Sequence, residues 1–178
     1  MDELALSIAK LGRALPPVER WNPPHCGDSR MRIARDGTWF HQGAPIARPE
    51  MVRLFSTLLR KDPEGYVLVT PQEKLAIAVE DAPFVAVAME AEGEGLDQRL
   101  RFVTNVGDAT VAGAEHPLRV ASDGESGAPL PYVHVRGGLE AKIARAVFYR
   151  LADLAVLGDE GVLGVWSCGV FFALGPAA

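Results

Sequence analysis

The chain has 178 residues, of which 48% are hydrophobic and 23% are charged, and its net charge is −5. This length suits one domain or two small domains that bury an ordinary hydrophobic core. Non-specific nucleic-acid binding needs a basic face that neutralises phosphates, and a negative chain without blocks of like charge lacks that signal. We therefore expect no DNA partner.

The cysteine content and the hydrophobic patterning indicate the cellular compartment. Cys26 and Cys168 match no disulfide framework, metal motif or redox motif. The first residues are acidic and lead into an amphipathic segment, unlike the apolar core of a signal peptide. No apolar run approaches the ~20 residues that span a bilayer. We expect a reduced, cytoplasmic protein without a membrane partner.

The first third of the chain predicts a helix, a proline-rich connector and a hairpin. Apolar residues at helical spacing predict a first helix that ends at Pro16; they are Leu4, Ile8, Leu11 and Leu15. Prolines make the stretch 16–26 an extended connector. Met31 and Ile33 alternate with arginines, and Asp36-Gly37 then turns the chain into a strand at 38–41.

A second helix and a short strand follow. Pro49 and Glu50 suit the first turn of a helix. The predicted apolar stripe consists of Met51, Leu54, Phe55, Leu58 and Leu59. Arg60 and Lys61 favour the carboxyl end of the helix, and Asp62-Pro63 ends it. The stretch 66–69 is then predicted as a short buried strand.

Strands dominate the rest of the chain. A strand with Leu75, Ile77 and Val79 on one face is predicted to turn at 81–83 and return at 84–89 as a hairpin. Further strands are predicted at 100–104, 109–112, 118–121 and 132–136. Gly137-Gly138 is predicted to introduce the longest helix, Leu139 to Leu157, which ends at Gly158. A last hairpin pairs 162–166 with 170–174.

Antiparallel hairpins combined with helices predict an α+β fold, not an alternating α/β fold. We place the domains at 1–72, an N-terminal α+β domain, and at 73–178, a strand-rich domain with a long helix. Each half contains an amphipathic helix flanked by short apolar strands, a pattern compatible with a duplication.

A search for catalytic chemistry finds no nucleophile elbow, phosphate-binding glycine loop or metal-ligand spacing. His25-Cys26 could contribute to a metal site, but Cys26 beside Gly27-Asp28 fits a small packed residue better. We predict neither an enzyme nor a bound cofactor or metal.

Two sets of polar residues allow a binding function or a structural one. Arginines near the first hairpin and helix could hold a phosphate or carboxylate, or could form solvated faces. The turns Glu80-Asp81 and 104–108 could line a cleft. Ordinary turn chemistry of Asp and Asn explains them without a binding function, and we favour that interpretation.

Several segments resemble one bacterial family, the domain-of-unknown-function 1285 family, over nearly the whole chain. The segments are Trp21 to Asp28, Asp36 to Phe40, Val52 to Ser56, Leu68 to Lys74, Glu80 to Val85, Thr104 to Asp108 and Trp166 to Gly169. The resemblance implies two α+β domains with repeated motifs. It also implies a C-terminal half with a strongly bent antiparallel sheet and a long helix, superficially similar to a pleckstrin-homology barrel. The hairpin after the helix departs from a simple barrel-then-helix order.

The resemblance also implies a ligand site at the domain interface for a nucleotide-like molecule, and a role in signal transduction. We predict a cytoplasmic sensor in which six residues bind a small anionic ligand. Arg53 and Lys74 would contact phosphate, Glu80 and Asp81 would shape the rim, and Asn105 and Asp108 would bind sugar or base. The alternative is a protein-interaction module without a small ligand.

Overall fold

A computed structural model describes residues 15–176 of the chain, except the side chains of Cys26 and Glu160. The helix predicted from Leu4 to Leu15 falls almost wholly outside these residues. The described chain divides into an N-terminal unit that ends at Glu80 and a C-terminal unit that starts at Asp81. No helix among the described residues is both long enough and apolar enough to cross a membrane.

Within its described residues, from 15 to 80, the N-terminal unit is a six-stranded sheet with one α-helix. A short 3-10 turn at Val18–Arg20 precedes the sheet. The elements in chain order are β1 (His25–Ile33), β2 (Trp39–His41), β3 (Ala44–Pro45), α1 (Pro49–Ser56), β4 (Leu59–Asp62), β5 (Gly65–Val69) and β6 (Lys74–Val79). The spatial order is β3-β2-β1-β6-β5-β4. Only β1 and β6 pair in parallel.

The predicted hairpin at Asp36-Gly37 is confirmed. Gly37 has φ +87°, a conformation that side chains other than glycine seldom adopt. The Asp36 carboxylate accepts a hydrogen bond from the Thr38 N–H at 2.9 Å. The turn brings Ile33 opposite Trp39, and both side chains are buried in the core.

The first described helix is shorter than predicted. It begins at Pro49 as expected, but it ends at Ser56, and a strand begins at Leu59. The predicted helical position of Arg60 is therefore wrong, because Arg60 lies on β4 opposite Val67. Met51, Leu54, Phe55 and Leu58 fit a helical stripe, but pairing of 59–62 with β5 outweighs that periodicity.

The C-terminal unit contains a second six-stranded sheet and a three-stranded sheet. Its elements are β7 (Phe84–Glu92), β8 (Arg99–Thr104), β9 (Ala109–Val111), β10 (Leu118–Ser122), β11 (Pro129–Arg136), β12 (Leu139–Ile143), α2 (Arg145–Ala152), β13 (Val156–Leu157), β14 (Val162–Ser167) and β15 (Val170–Pro176). Short 3-10 turns lie at Gly95–Asp97 and Asp159–Gly161. The orders are β10-β11-β12-β7-β8-β9 and β13-β14-β15.

The long helix predicted from Leu139 to Leu157 is wrong. Residues 139–143 form β12, and the helix α2 covers only Arg145–Ala152. Leu139, Ala141 and Ile143 are buried and alternate with half-buried Glu140 and Lys142, which is the period of a strand. Gly137 and Gly138 have φ of +52° and +75°, so they turn β11 into β12 as a hairpin.

The hairpin predicted around Asp81 to Pro83 is also wrong. The strands on either side exist, but β6 pairs with β1 and β5, whereas β7 pairs with β12 and β8. The segment 81–83 therefore connects two different sheets. Because β6 belongs to the first sheet, the units divide after Glu80 and not after residue 72.

The two six-stranded sheets have the same topology. Each consists of two antiparallel three-stranded meanders, and the first strand of the first meander pairs in parallel with the last strand of the second. The strands β1 to β6 thus correspond in order to β7 to β12. The α+β class is confirmed, and the shared topology is what a duplicated unit would produce.

Candidate functional site

The predicted ligand residues divide between the two units. Arg53, Lys74 and Glu80 lie in the N-terminal unit, and Asp81, Asn105 and Asp108 lie in the C-terminal unit. Lys74 begins β6 and Glu80 follows its end, so their Cα atoms are about 20 Å apart at 3.3 Å per residue. Arg53 is exposed on α1.

Lys74 belongs to a chain of charged side chains in the N-terminal unit. The Arg60 guanidinium donates from Nε to Oδ1 of Asp62 at 2.6 Å and from Nη2 to Oδ2 at 2.9 Å. The Lys74 ammonium donates to the same Oδ2 at 3.1 Å. Arg60 also donates from Nη1 to the carbonyl oxygens of Val18 and Trp21, at 2.9 and 2.7 Å. This cluster ties the connector before β1 to the sheet.

The charges in this cluster stabilise one another. The Arg60 side chain is 10% exposed, Asp62 11% and Lys74 18%. Hydrogen bonds from Arg60 hold the pKa of Asp62 below its usual value, although burial opposes the shift. The hydrogen bond to Asp62 raises the pKa of Arg60. A carboxylate held between two cations stays ionised.

A cleft of about 260 Å³ opens beside this cluster, within the N-terminal unit. It is lined by His25, Glu64, Gly65, Tyr66, Val67, Lys74 and Ala76. Val67 pairs directly with Ala76, so their small side chains lie on one face of the sheet. Lys74 precedes Ala76 by two residues on the same face, and His25 pairs with Lys74.

The cleft combines an apolar floor with charged walls. Asp62 accepts one of the three N–H groups of the Lys74 ammonium, and a lysine has two others to offer an anion. His25 is exposed beside it. Glu64, in the turn between β4 and β5, is exposed and also lines the cleft. The site can take an anionic group near Lys74 and a hydroxyl or amino group near Glu64.

The Glu80 carboxylate forms hydrogen bonds within the N-terminal unit. Its carboxylate accepts hydrogen bonds from the Arg32 guanidinium and from the Arg35 N–H. These contacts connect the end of β6 to β1 and to the first hairpin.

Asp81 takes part in a second polar network, in the C-terminal unit. Its Oδ1 accepts from the Tyr132 hydroxyl at 2.7 Å, and its Oδ2 accepts from the Lys142 ammonium at 2.6 Å. The Arg119 guanidinium lies 4.2 Å from the centre of the Tyr132 ring and binds Glu140 through two hydrogen bonds. Burial, reinforced by the bond to Asp81, raises the pKa of Tyr132 to about 12.

Asn105 and Asp108 support the start of β7. Asn105 exchanges two hydrogen bonds with the backbone of Val85: its side-chain oxygen accepts at 3.0 Å and its N–H donates at 2.8 Å. Asp108 pairs with Arg136 at 3.4 Å, and Arg136 lies over the Phe84 ring. Both side chains therefore make contacts to other strands of the C-terminal unit, and their role in ligand binding stays a prediction.

Of the predicted ligand residues, Lys74 is the one that lines the described cleft. Sequence reasoning missed Asp62, Glu64 and the small pair Val67 and Ala76. The alternation of Arg60 and Asp62 was a usable signal, since residues two apart share one face of a strand. Val67 and Ala76 lie on different strands, so no pattern in the local sequence predicts that they pair.

Family models match both units. The N-terminal domain model of DUF1285, a domain of unknown function, matches residues 16–82. The C-terminal domain model of DUF1285, a protein of unknown function, matches residues 83–174. The boundary between these matches lies within two residues of the division found in the structure.

Two crystal structures are similar to the chain. A DUF1285 family protein from Silicibacter pomeroyi DSS-3 is 54% identical, with 97% of this chain and 94% of that chain covered and a TM-score of 0.91. A DUF1285 family protein from Shewanella baltica OS155 is 25% identical, with 69% and 90% covered and a TM-score of 0.54. A comparison with curated proteins gives no match.

Proposed function

The chain belongs to the DUF1285 family, and we propose that it is a cytoplasmic binding protein for a small, nucleotide-like anion in a signalling role. The cleft of the N-terminal unit supplies the site, and Lys74 contacts the anionic group. The observation that carries the proposal is the position of Lys74, which is anchored by Asp62 at the wall of a cleft with an apolar floor.

The size of the cleft limits the ligand. Sites for drug-sized molecules span roughly 300–1,000 Å³, and this cleft holds about 260 Å³. It therefore suits a nucleoside monophosphate or a smaller anion, and excludes full enclosure of a dinucleotide. A flat ring fits against half-buried Ala76, while phosphate oxygens contact Lys74.

We propose binding rather than catalysis because three serine hydroxyls donate hydrogen bonds to backbone carbonyl oxygens and so stabilise the fold. Ser29 donates to the carbonyl of Ala76, Ser56 to that of Arg53, and Ser167 to that of Ala112. Each is engaged in backbone hydrogen bonding that a nucleophile would have to give up.

Thermal unfolding against inorganic phosphate, nucleoside monophosphates and dinucleotides tests the proposal. A ligand at 100 times its Kd stabilises the folded state by about 2.7 kcal/mol, which raises the melting temperature by roughly 5 to 10 °C. The expected hit is a monophosphate, lost in Lys74→Ala. Arg53→Ala is the matched control, because Arg53 is exposed on α1 and does not line the cleft.

Two results would contradict the cleft assignment. Loss of the shift in Arg53→Ala with retention in Lys74→Ala would move the anion to the helix α1 and would favour Arg53 as its ligand. A panel without any shift would favour the alternative, a protein-interaction module. The exposed Val156 and Leu157 of the edge strand β13 support that alternative.

A further inference from the structure

The turn between β4 and β5 brings a second carboxylate to the cleft. Asp62 pairs directly with Gly65, so Pro63 and Glu64 form a two-residue turn between them. Lys74 donates to Asp62, the residue that opens this turn, at 3.1 Å. Glu64 and Lys74 also line the same cleft of about 260 Å³. Glu64 is therefore two residues from the carboxylate that holds the ammonium, on the wall of the same cleft.

The two carboxylates differ in their partners. Asp62 accepts hydrogen bonds from Arg60 and from Lys74, and little of its side chain is exposed. Glu64 is exposed and makes no hydrogen bond or ion pair with another residue in the described part of the chain. Asp62 is thus already occupied, whereas Glu64 has both oxygens available to a group that enters the cleft.

The charges beside the cleft balance before any ligand enters. Arg60 and Lys74 supply two positive charges, and Asp62 and Glu64 supply two negative charges. A phosphate monoester brings a further charge of about −1.5 to −2 at pH 7. The single charge of Lys74 is already shared with Asp62, so it cannot also neutralise this phosphate. A divalent cation that enters with the phosphate restores the balance.

We infer that the ligand enters the cleft as a complex of its phosphate group with Mg²⁺, and that Glu64 binds the metal. The inference rests on the proposed function and names the form in which the anion is recognised. Mg²⁺ is usually held by one or two carboxylates together with substrate phosphates and water, rather than by a cage of protein ligands. A carboxylate without a protein partner, in the same cleft as a phosphate-binding lysine, matches this set of ligands.

The metal and the phosphate are expected to bind together. Among the described residues, no group of three or more His, Cys, Asp or Glu side chains could hold a metal ion. The phosphate oxygens must therefore supply part of the metal's coordination. Lys74 contacts one oxygen of the phosphate, while Glu64 contacts the metal that the phosphate carries.

The substitution Glu64→Gln tests this inference, because it nearly preserves the size of the side chain and removes its charge. Calorimetric titration uses adenosine monophosphate, with either magnesium chloride or EDTA at equal ionic strength. The titration is made at about pH 8, where histidines such as His25 add little charge. Glu50→Gln is the matched control, since Glu50 is exposed in the first turn of α1 and does not line the cleft.

The effect of Glu64→Gln should change sign when the metal is present. Without Mg²⁺ the Glu64 carboxylate repels the phosphate, so Glu64→Gln is expected to bind up to about fivefold more tightly than the wild type. Mg²⁺ should strengthen binding to the wild type and to Glu50→Gln by at least about fivefold, because it adds a contact between the ligand and Glu64. Glu64→Gln should gain less than about twofold, because an amide oxygen carries no charge to attract the metal.

The outcomes separate this inference from the proposed function. An equal gain from Mg²⁺ in the wild type and in Glu64→Gln overturns the inference, and so does the absence of a gain in the wild type. The proposed function survives either result if Lys74→Ala loses the binding of adenosine monophosphate. Failure of the wild type to bind in both buffers overturns the proposed function and the inference together.

Manganese supplies a second readout in the unmodified protein. Mn²⁺ takes the same oxygen ligands as Mg²⁺, and its unpaired electrons broaden the nuclear magnetic resonance signals of nearby atoms. The backbone amide signals of Glu64 and Gly65 should broaden when adenosine monophosphate and Mn²⁺ are present together, and should stay sharp with Mn²⁺ alone. Broadening with Mn²⁺ alone shows an ordinary surface contact and overturns the inference.

Discussion

Lys74 and Asp62 are joined by a 3.1 Å hydrogen bond between Nζ and Oδ2, although they belong to different strands of the N-terminal sheet. Arg60 binds the other side of the same carboxylate. The Asp62 carboxylate thus has two tasks: it orients the lysine at the cleft and neutralises a buried guanidinium.

Asp62→Asn is expected to destabilise the protein by about 3 kcal/mol, because it leaves a buried arginine without its counterion. Urea unfolding at pH 7 measures this loss. Asp153→Asn is the matched control, since Asp153 is exposed at the end of α2, and it should change stability by less than about 0.5 kcal/mol. Equal effects of the two substitutions would show that the Arg60 cluster adds no stability.

The contribution of Asp62 should depend on pH in the acid range. Its pKa in the folded state is lowered, chiefly by the hydrogen bond from Arg60, whereas an unfolded aspartate titrates near about 3.9. A lowered folded pKa gives stability that is present above the unfolded value and lost as pH falls through the folded value. The stability difference between the wild type and Asp62→Asn should therefore shrink below about pH 4. A constant difference between pH 7 and pH 3 would contradict this assignment.

Tyr132 should ionise unusually late. Its pKa is raised to about 12, first by burial and then by the hydrogen bond to Asp81. Ultraviolet titration of the phenolate band should show one late step that is missing in Tyr132→Phe. Because the pKa of Tyr132 is higher in the folded state, its hydroxyl stabilises the protein. This contribution to stability is complete below about pH 10, the pKa of an unfolded tyrosine, and it is lost as pH rises towards 12. A late step that persists in Tyr132→Phe would assign it to another group.

Glu64 should weaken the binding of simple anions, because its carboxylate lies in the same cleft as Lys74. Glu64→Gln removes a negative charge that repels the phosphate. Because surface charge pairs contribute about 0.2–1 kcal/mol, the affinity for inorganic phosphate should rise by up to about fivefold. Titration calorimetry at low salt measures this affinity for phosphate. Glu125→Gln, an exposed substitution in the C-terminal unit, should leave the affinity unchanged.

Gly164 should not tolerate a side chain. A Cβ atom there would lie 2.5 Å from the carbonyl oxygen of Phe172 and would overlap the Phe171 ring. Gly164→Ala is expected to cost about 1–3 kcal/mol through overpacking. A Cβ atom added at Gly175 would meet no other atom within 4 Å. The stability of Gly175→Ala in thermal unfolding should therefore stay within about 0.5 kcal/mol of the wild type. Equal stability of the two variants would show that the Phe171 ring moves aside.

The sequence by itself determined the elements whose causes are local. Asp36-Gly37 determined the first hairpin, and Pro49 marked the start of α1. A continuous apolar run located β5, and alternating apolar residues located β6, β8 and β11. Lys74 was also recognised as a candidate ligand residue from sequence. These features depend on φ preferences, capping and side-chain period, which are properties of a few neighbouring residues.

Tertiary structure decided whatever depends on partners distant in the chain. Residues 139–143 fit a helical stripe and an alternating strand, and pairing with β11 and β7 made them a strand. Leu59 and Arg60 became part of β4, and not of the helix, because they pair with β5. The cleft exists because Val67 and Ala76 meet across two strands. Strand register sets which side chains share a face, and register is specified by long-range burial rather than by local preference.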